Sequence, residues 1–220
     1  MKKNKIGGLA VTAAALTGAY AFLVRPALLR WGAMDDEMDM PLPGDALVPE
    51  PRGESTRAIT IDAPPKKVWP WLVQMGQGRG GLYSYDWLEN MIGLEIHSAD
   101  EILPDYQKLN VGDVIRLMPE GNEPDLHFEV ALLEAEKALV LLTPGTREEA
   151  YATGMPFATW AFILQPLSGG RSRLIIRFRT DFDPNPTGFV MNKYALEPVH
   201  FLMEQKMMQG IKARAEGISV

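Results

Sequence analysis

The chain has no cysteine. Disulfides, thiolate nucleophiles and cysteine-based zinc or iron–sulfur sites are therefore excluded, and the redox compartment is left open. Histidine is scarce too: only His97, His127 and His200 occur. His97 and Asp100 have a spacing that suits a metal on a helix, but two ligands without a third make a poor site, and no metal is expected. No G-K-[ST] follows the glycines, so a P-loop is absent, and there is no serine elbow. No cofactor is expected. Positive charge is in short supply beyond the N-terminus: after Gly32 there are 17 basic and 28 acidic residues, a net of −11. Nucleic acid demands a basic footprint and is excluded as a partner. No internal repeat or low-complexity tract is visible.

What the chain does have is enough apolar material for one domain plus an appendage, with 46% hydrophobic residues in 220. The appendage comes first. Ile6 to Val24 is nineteen residues without a charge, flanked by Lys2, Lys3 and Lys5 and then by Arg25. At about 1.5 Å per helical residue it reaches across most of a bilayer core of about 30 Å. Ala19-Tyr20-Ala21 also mimics a signal-peptidase site, but the apolar run continues through Phe22, Leu23 and Val24, which favours a retained anchor. The lysine excess before the run places the following domain on the extracytoplasmic side. Residues 1–30 are accordingly read as a single-pass membrane anchor, with residues 6–24 in the membrane.

Residues 31–54 follow as an extended, acidic lead-in, in which Pro41, Pro43, Pro49 and Pro51 fix φ and remove donors. It is expected to lie along the domain surface. The domain itself is assigned to residues 55–220. Ser55 to Ala63 reads as a strand with Ile59 and Ile61 on one face. Val68, Trp71, Leu72 and Met75 then recur with helical spacing; Pro65 suits the first turn, and Pro70 predicts a kink or a broken turn. Next comes QMGQGRGGLYSYDWLENMIG (Gln74 to Gly93), four glycines followed by Tyr83, Tyr85 and Trp87. It reads as a loop and short helix closing one end of a cavity. Its G-x-G-x-x-G match lacks a preceding strand and a βαβ context, so a dinucleotide fold is not supported.

Strand patterns follow at Val114–Leu117, His127–Glu134, Ala138–Thr143, Phe157–Gln165 and Arg173–Thr180, joined by links short enough for antiparallel neighbours. A looser helical piece from Thr187 to Leu196 precedes a long helix from Pro198 to about Glu216, with Val199, Met203, Met207 and Ile211 as its inward stripe.

TRAITIDAPPKKVWPWLVQMG is similar to the opening of the START-like superfamily (the SRPBCC, polyketide cyclase/dehydrase and lipid-transfer group), with Ala63, Pro64, Val68 and Trp69 carrying the motif. GQGRGGLYSYDWLEN, WGAMDDE, LPGDALVPEP and EPVHFLMEQKMMQGIKARAE resemble a bacterial subgroup that often has an N-terminal membrane segment. The resemblance covers about Trp31 to Glu216. It implies an α+β helix-grip fold: a curved antiparallel sheet wrapped around a long C-terminal helix, preceded here by a transmembrane helix. It also implies a cavity for an apolar small molecule, and no single chemistry.

The expected ligand site comprises Arg79, Tyr83, Tyr85, Trp160, Phe162, His200, Met203, Glu204 and Met207. His200 and Glu204, at i and i+4, could orient a polar ligand end or move a proton; a satisfied polar pair at the sheet–helix boundary is the ordinary alternative. Arg79 could hold an anion, or simply face solvent or Asp86. The aromatics are as readily core as ligand wall. Arg171, Arg173, Arg177 and Arg179 share one strand face, expected to be solvated, with anionic headgroups as the alternative contact. The leading functional expectation is membrane-tethered binding of an apolar or amphipathic, lipid-like molecule without catalysis. The alternatives are a cyclase- or isomerase-like enzyme using His200 and Glu204, and a protein-interaction module. The sequence does not specify an oligomeric state.

Overall fold

The segments with strand patterns become the strands β1 (Gly53–Ile61), β2 (Val114–Arg116), β3 (His127–Glu134), β4 (Ala138–Leu142), β5 (Phe157–Leu167) and β6 (Arg171–Asp181). They form one antiparallel sheet in the order β1-β6-β5-β4-β3-β2. Five strands are sequential meander neighbours; the first closes on the last. A computed structural model describes residues 18–218. The helices among them are α1 (Arg25–Leu29), α2 (Asp35–Asp39), α3 (Pro65–Val73), α4 (Asp86–Met91), α5 (Arg147–Ala152), α6 (Pro186–Val190) and α7 (Glu197–Glu216). This is an α+β arrangement with a six-stranded antiparallel sheet and a long C-terminal helix, as in a helix-grip fold.

Alternation sorts the strand residues onto two faces. Register pairs Trp160 with Phe178, Phe162 with Ile176 and Leu164 with Leu174, and Arg57 with Ile176. These residues, with Leu139, Leu141 and Val130, face α3 and α7 and build the main core with Trp71, Leu72, Met207, Met208 and Ile211. Pro65 opens α3 as expected, and Pro70 is accommodated inside the helix. The four-residue stripe holds: Val68, Trp71, Leu72 and Met75 are all buried.

The opposite face carries a second apolar cluster, of Ala58, Ala138, Val140, Ala161, Ile163 and Ile175, closed by Leu42 from the lead-in. Here the expectation of a solvated arginine face is corrected. Arg173 pairs with Glu37 through two bonds of 2.6 and 2.7 Å. Arg177, only 3% exposed, reaches Asp45 (2.7 Å), Thr56 (2.9 Å) and the carbonyls of Glu37, Met38 and Met40. Arg179 lies 3.1 Å from Asp45 and 3.3 Å from Glu54. The acids of the lead-in thus pair with Arg173, Arg177 and Arg179 and cover much of that face. Arg171 alone of the four stays exposed.

Most of the expected anchor, residues 6–17, lies outside the described residues. From Gly18 to Leu29 the chain is helical, with a π-helical stretch at Tyr20–Val24. It docks on the domain through a two-bond Arg25–Glu197 pair of 2.6 and 2.8 Å and a Tyr20 hydroxyl bond to the Lys193 carbonyl. Among the described residues no helix is long and apolar enough to cross a membrane.

Candidate functional site

The two halves of α7 have different fates. Met207, Met208, Ile211 and Ala215 in its C-terminal half pack into the core. Glu197, Val199, His200 and Met203 in its N-terminal half instead border a cavity of about 600 Å³. The helix lies against the sheet at one end and stands off it at the other. The opposite wall comes from Ala158, Trp160 and Phe178 on β5 and β6, one flank from Leu126–Phe128 and the Thr143–Pro156 connection, and the other from Leu82, Leu88, Glu89, Ile92 and Leu94. The lining is mainly apolar, as small-molecule sites are.

A polar cluster sits where α7 parts from the sheet. Arg57 on β1 and Glu204 are 1% and 0% exposed at their side chains and meet at 2.5 Å. Trp160 donates its indole N–H to the other Glu204 oxygen at 2.8 Å, and Arg57 also donates to the Leu28 carbonyl at 2.8 Å. Arg57 lies 3.4 Å from His200 Nδ1. A guanidinium can only donate, so Nδ1 accepts and the imidazole proton is on Nε2, 3.6 Å from Glu204. Burial holds His200 well below its ordinary value, at about 4; the Glu204 charge opposes this and Arg57 adds to it. His200 is thus neutral at physiological pH. Its ring lies tilted 4.2 Å from Phe178 and edge-on 5.8 Å from Trp160. Removing one member of such a buried pair costs about 3–5 kcal/mol, because the survivor is left charged and alone.

Of the nine expected ligand residues, Trp160, His200 and Met203 line the cavity. Glu204 supports it from beneath, saturated by Arg57 and Trp160. Phe162, at 0% exposure, and Met207 belong to the core behind the wall. Tyr83 is buried with its hydroxyl on the Trp71 carbonyl at 3.0 Å. Burial raises the pKa of that phenol. Tyr85 precedes α4 and lies beneath Lys206. Arg79 bends back to donate to the Val73 and Met75 carbonyls at 2.8 and 3.1 Å and stacks on Tyr106. Asp86 bonds Ser98, not Arg79. The anion-holding role for Arg79 therefore has no geometric basis: the guanidinium closes its own loop.

Two site residues escaped the sequence reading. Arg57 occupies the same strand face as Ile59 and Ile61, and a charge on an apolar stripe was a legible signal. Glu89 lines the cavity at 2% exposure; in sequence it is one more acid on a short helix, and nothing singles it out. Burial first, and then the neighbouring Asp86 charge, push its carboxyl up to about 7, while Ser84 pulls the other way. Among the described residues no group of three or more potential ligands could hold a metal ion.

The sequence matches no protein-family model and no curated protein. Solved structures similar to it include the KanY protein (13% identity, TM-score 0.48, covering 75% of this chain and 98% of that one). A Chromobacterium violaceum protein is 14% identical, with a TM-score of 0.46 and coverage of 74% and 96%. Norcoclaurine synthase from Thalictrum flavum is 13% identical, with a TM-score of 0.43 and coverage of 73% and 91%. These are distant likenesses, and it is strand order and helix placement that define the fold.

Proposed function

We propose that this chain is a membrane-tethered START-like (SRPBCC) domain that binds one apolar or amphipathic small molecule beneath the N-terminal half of α7. The observation that carries the reading is the cavity itself: about 600 Å³ in size, chiefly aliphatic and aromatic in lining, and bordered by a neutral imidazole. A drug- or lipid-fragment-sized ligand fits that volume. The tether is supported by the mouth. Ile92, Leu196 and Val199 both line the cavity and stand 73%, 45% and 55% exposed, with Trp87, Met91 and Leu202 also uncovered. Phe22 and Leu23, just before the Arg25–Glu197 contact, are 82% and 74% exposed. Exposed apolar surface of this extent suits a lipid interface. A mouth held there would exchange ligand without exposing it to water.

An acid–base reading of the same cavity has weaker support. His200 is in place, but Glu204 is spent on Arg57 and Trp160, and Arg79 is elsewhere. The test is occupancy. An apolar naphthalene dye is expected to brighten and saturate at one site per chain. Ala150→Phe, which puts a phenyl group into the cavity from a 6%-exposed position on α5, is expected to weaken it by about tenfold or more. Dye binding unchanged by Ala150→Phe would place the site elsewhere and sink the proposal.

A further inference from the structure

The cavity wall is electrically lopsided. Among the described residues, five of those lining it are acidic (Glu54, Glu89, Asp125, Glu149 and Glu197) and one, Arg57, is a permanent cation, beside the imidazoles of His127 and His200. Four of the acids already have partners: Glu197 holds Arg25, Asp125 holds Arg116, Glu54 faces Arg179, and Glu149 caps its own helix at Thr146. Arg57 is likewise committed to Glu204 and the Leu28 carbonyl. Glu89 is the exception. Its Oε2 is shut from solvent and has no hydrogen-bond partner, its charged neighbour Asp86 has the same sign, and the Ser84 hydroxyl beside it, 3.1 Å from the Met203 carbonyl, has one proton for the two acceptors.

A buried carboxyl in that position is an unfilled half of an interaction. It can be completed by a ligand that brings the missing cation, or weakly by a neutral acceptor while the acid keeps its proton. An anionic headgroup would meet Glu89 with no unpaired lysine or arginine among the described residues of the wall to offset it. We propose that the ligand is an amphipathic amine, whose ammonium group pairs with Glu89 at the α4 wall while its apolar part lies against Trp160, Phe178 and Met203. This rests on the cavity-binding reading above and narrows it to one chemical class. Fatty-acid-like molecules are expected to bind least well of the amphiphiles.

The test compares dodecylamine, dodecanol and dodecanoate, below their aggregation thresholds, as displacers of the naphthalene dye from the full chain at neutral pH. The amine is expected to displace at about one-tenth the concentration of the alcohol or lower, with the carboxylate weakest. In Glu89→Gln, an isosteric change, the amine's advantage over the alcohol is expected to shrink to within about threefold. Should that variant fail to fold, the ranking of the three probes on the wild-type chain decides alone. Equal displacement by amine and alcohol, displacement led by dodecanoate, or an amine advantage that survives Glu89→Gln would overturn the assignment while leaving cavity binding intact. Dye binding that no probe displaces would instead remove the cavity reading, and this inference with it.

Discussion

Glu89 and His200 face one cavity, but burial moves their proton equilibria in opposite directions. The Glu89 carboxyl rises from an ordinary 4.5 to about 7, so the native state holds that proton more tightly than the unfolded chain does. Its contribution to stability is full below 4.5 and is lost as pH rises through about 7. His200 falls from 6.5 to about 4; its contribution is full above 6.5 and fades as pH falls toward 4. The Glu89 effect can be isolated by substitution. Glu89→Gln is expected to raise unfolding free energy relative to wild type by about 2 kcal/mol at pH 8 and by little at pH 4. Urea unfolding at the two pH values reads the difference. A pH-independent difference would show that the carboxyl is not held protonated by its surroundings.

At the scale of elements, the glycine-rich stretch works differently from its first impression. Gly76 and Gly81 bridge each other, and Arg79 locks the turn from inside. A Cβ on Gly81 would lie 2.6–2.8 Å from backbone atoms of His97 and Ser98. The stretch serves the cavity indirectly, by presenting Leu82 and the α4 residues Leu88 and Glu89 as a wall. Its tightest approach to α7 is at Gly210, where a Cβ would run into the Tyr83 carbonyl oxygen; Ser84 and Tyr85 meet α7 at Met203 and Lys206. Gly210→Ala is therefore expected to destabilise by about 1–3 kcal/mol, despite alanine's better helix propensity. A gain in stability, measured by chemical denaturation, would mean that α7 does not press on Tyr83.

Much of this layer was legible in the sequence. Strand patterns, alternating in most segments and continuously apolar at Ala138 to Thr143, located the strands, helical spacing marked Val68 to Met75, and Pro198 sits in the first turn of α7. What alternation cannot reveal is which polar face is covered. Arg173 and Arg177 looked like solvent-facing residues because their partners, Glu37 and Asp45, stand more than a hundred positions away. Nor does helical spacing reveal where a helix leaves a sheet. Met203 and Met207 read as one stripe, yet the first borders open space and the second is core.

For the whole molecule, the governing feature is the divergence of α7 from the sheet. The buried Arg57–Glu204–Trp160 cluster stands at the parting, and the acidic lead-in backs the sheet from behind. The Arg25–Glu197 pair ties the N-terminal helix to the end of α7 that overhangs the cavity. The N-terminal helix thus adjoins the mouth of the hollow, and the proposed function requires that the hollow hold a guest. Native mass spectrometry of the full chain, purified in mild detergent, is the most direct test. The expected spectrum shows the protein carrying one additional small organic molecule, released by organic extraction and absent from Ala150→Phe. A bare protein mass that takes up no apolar or amphipathic probe would contradict it.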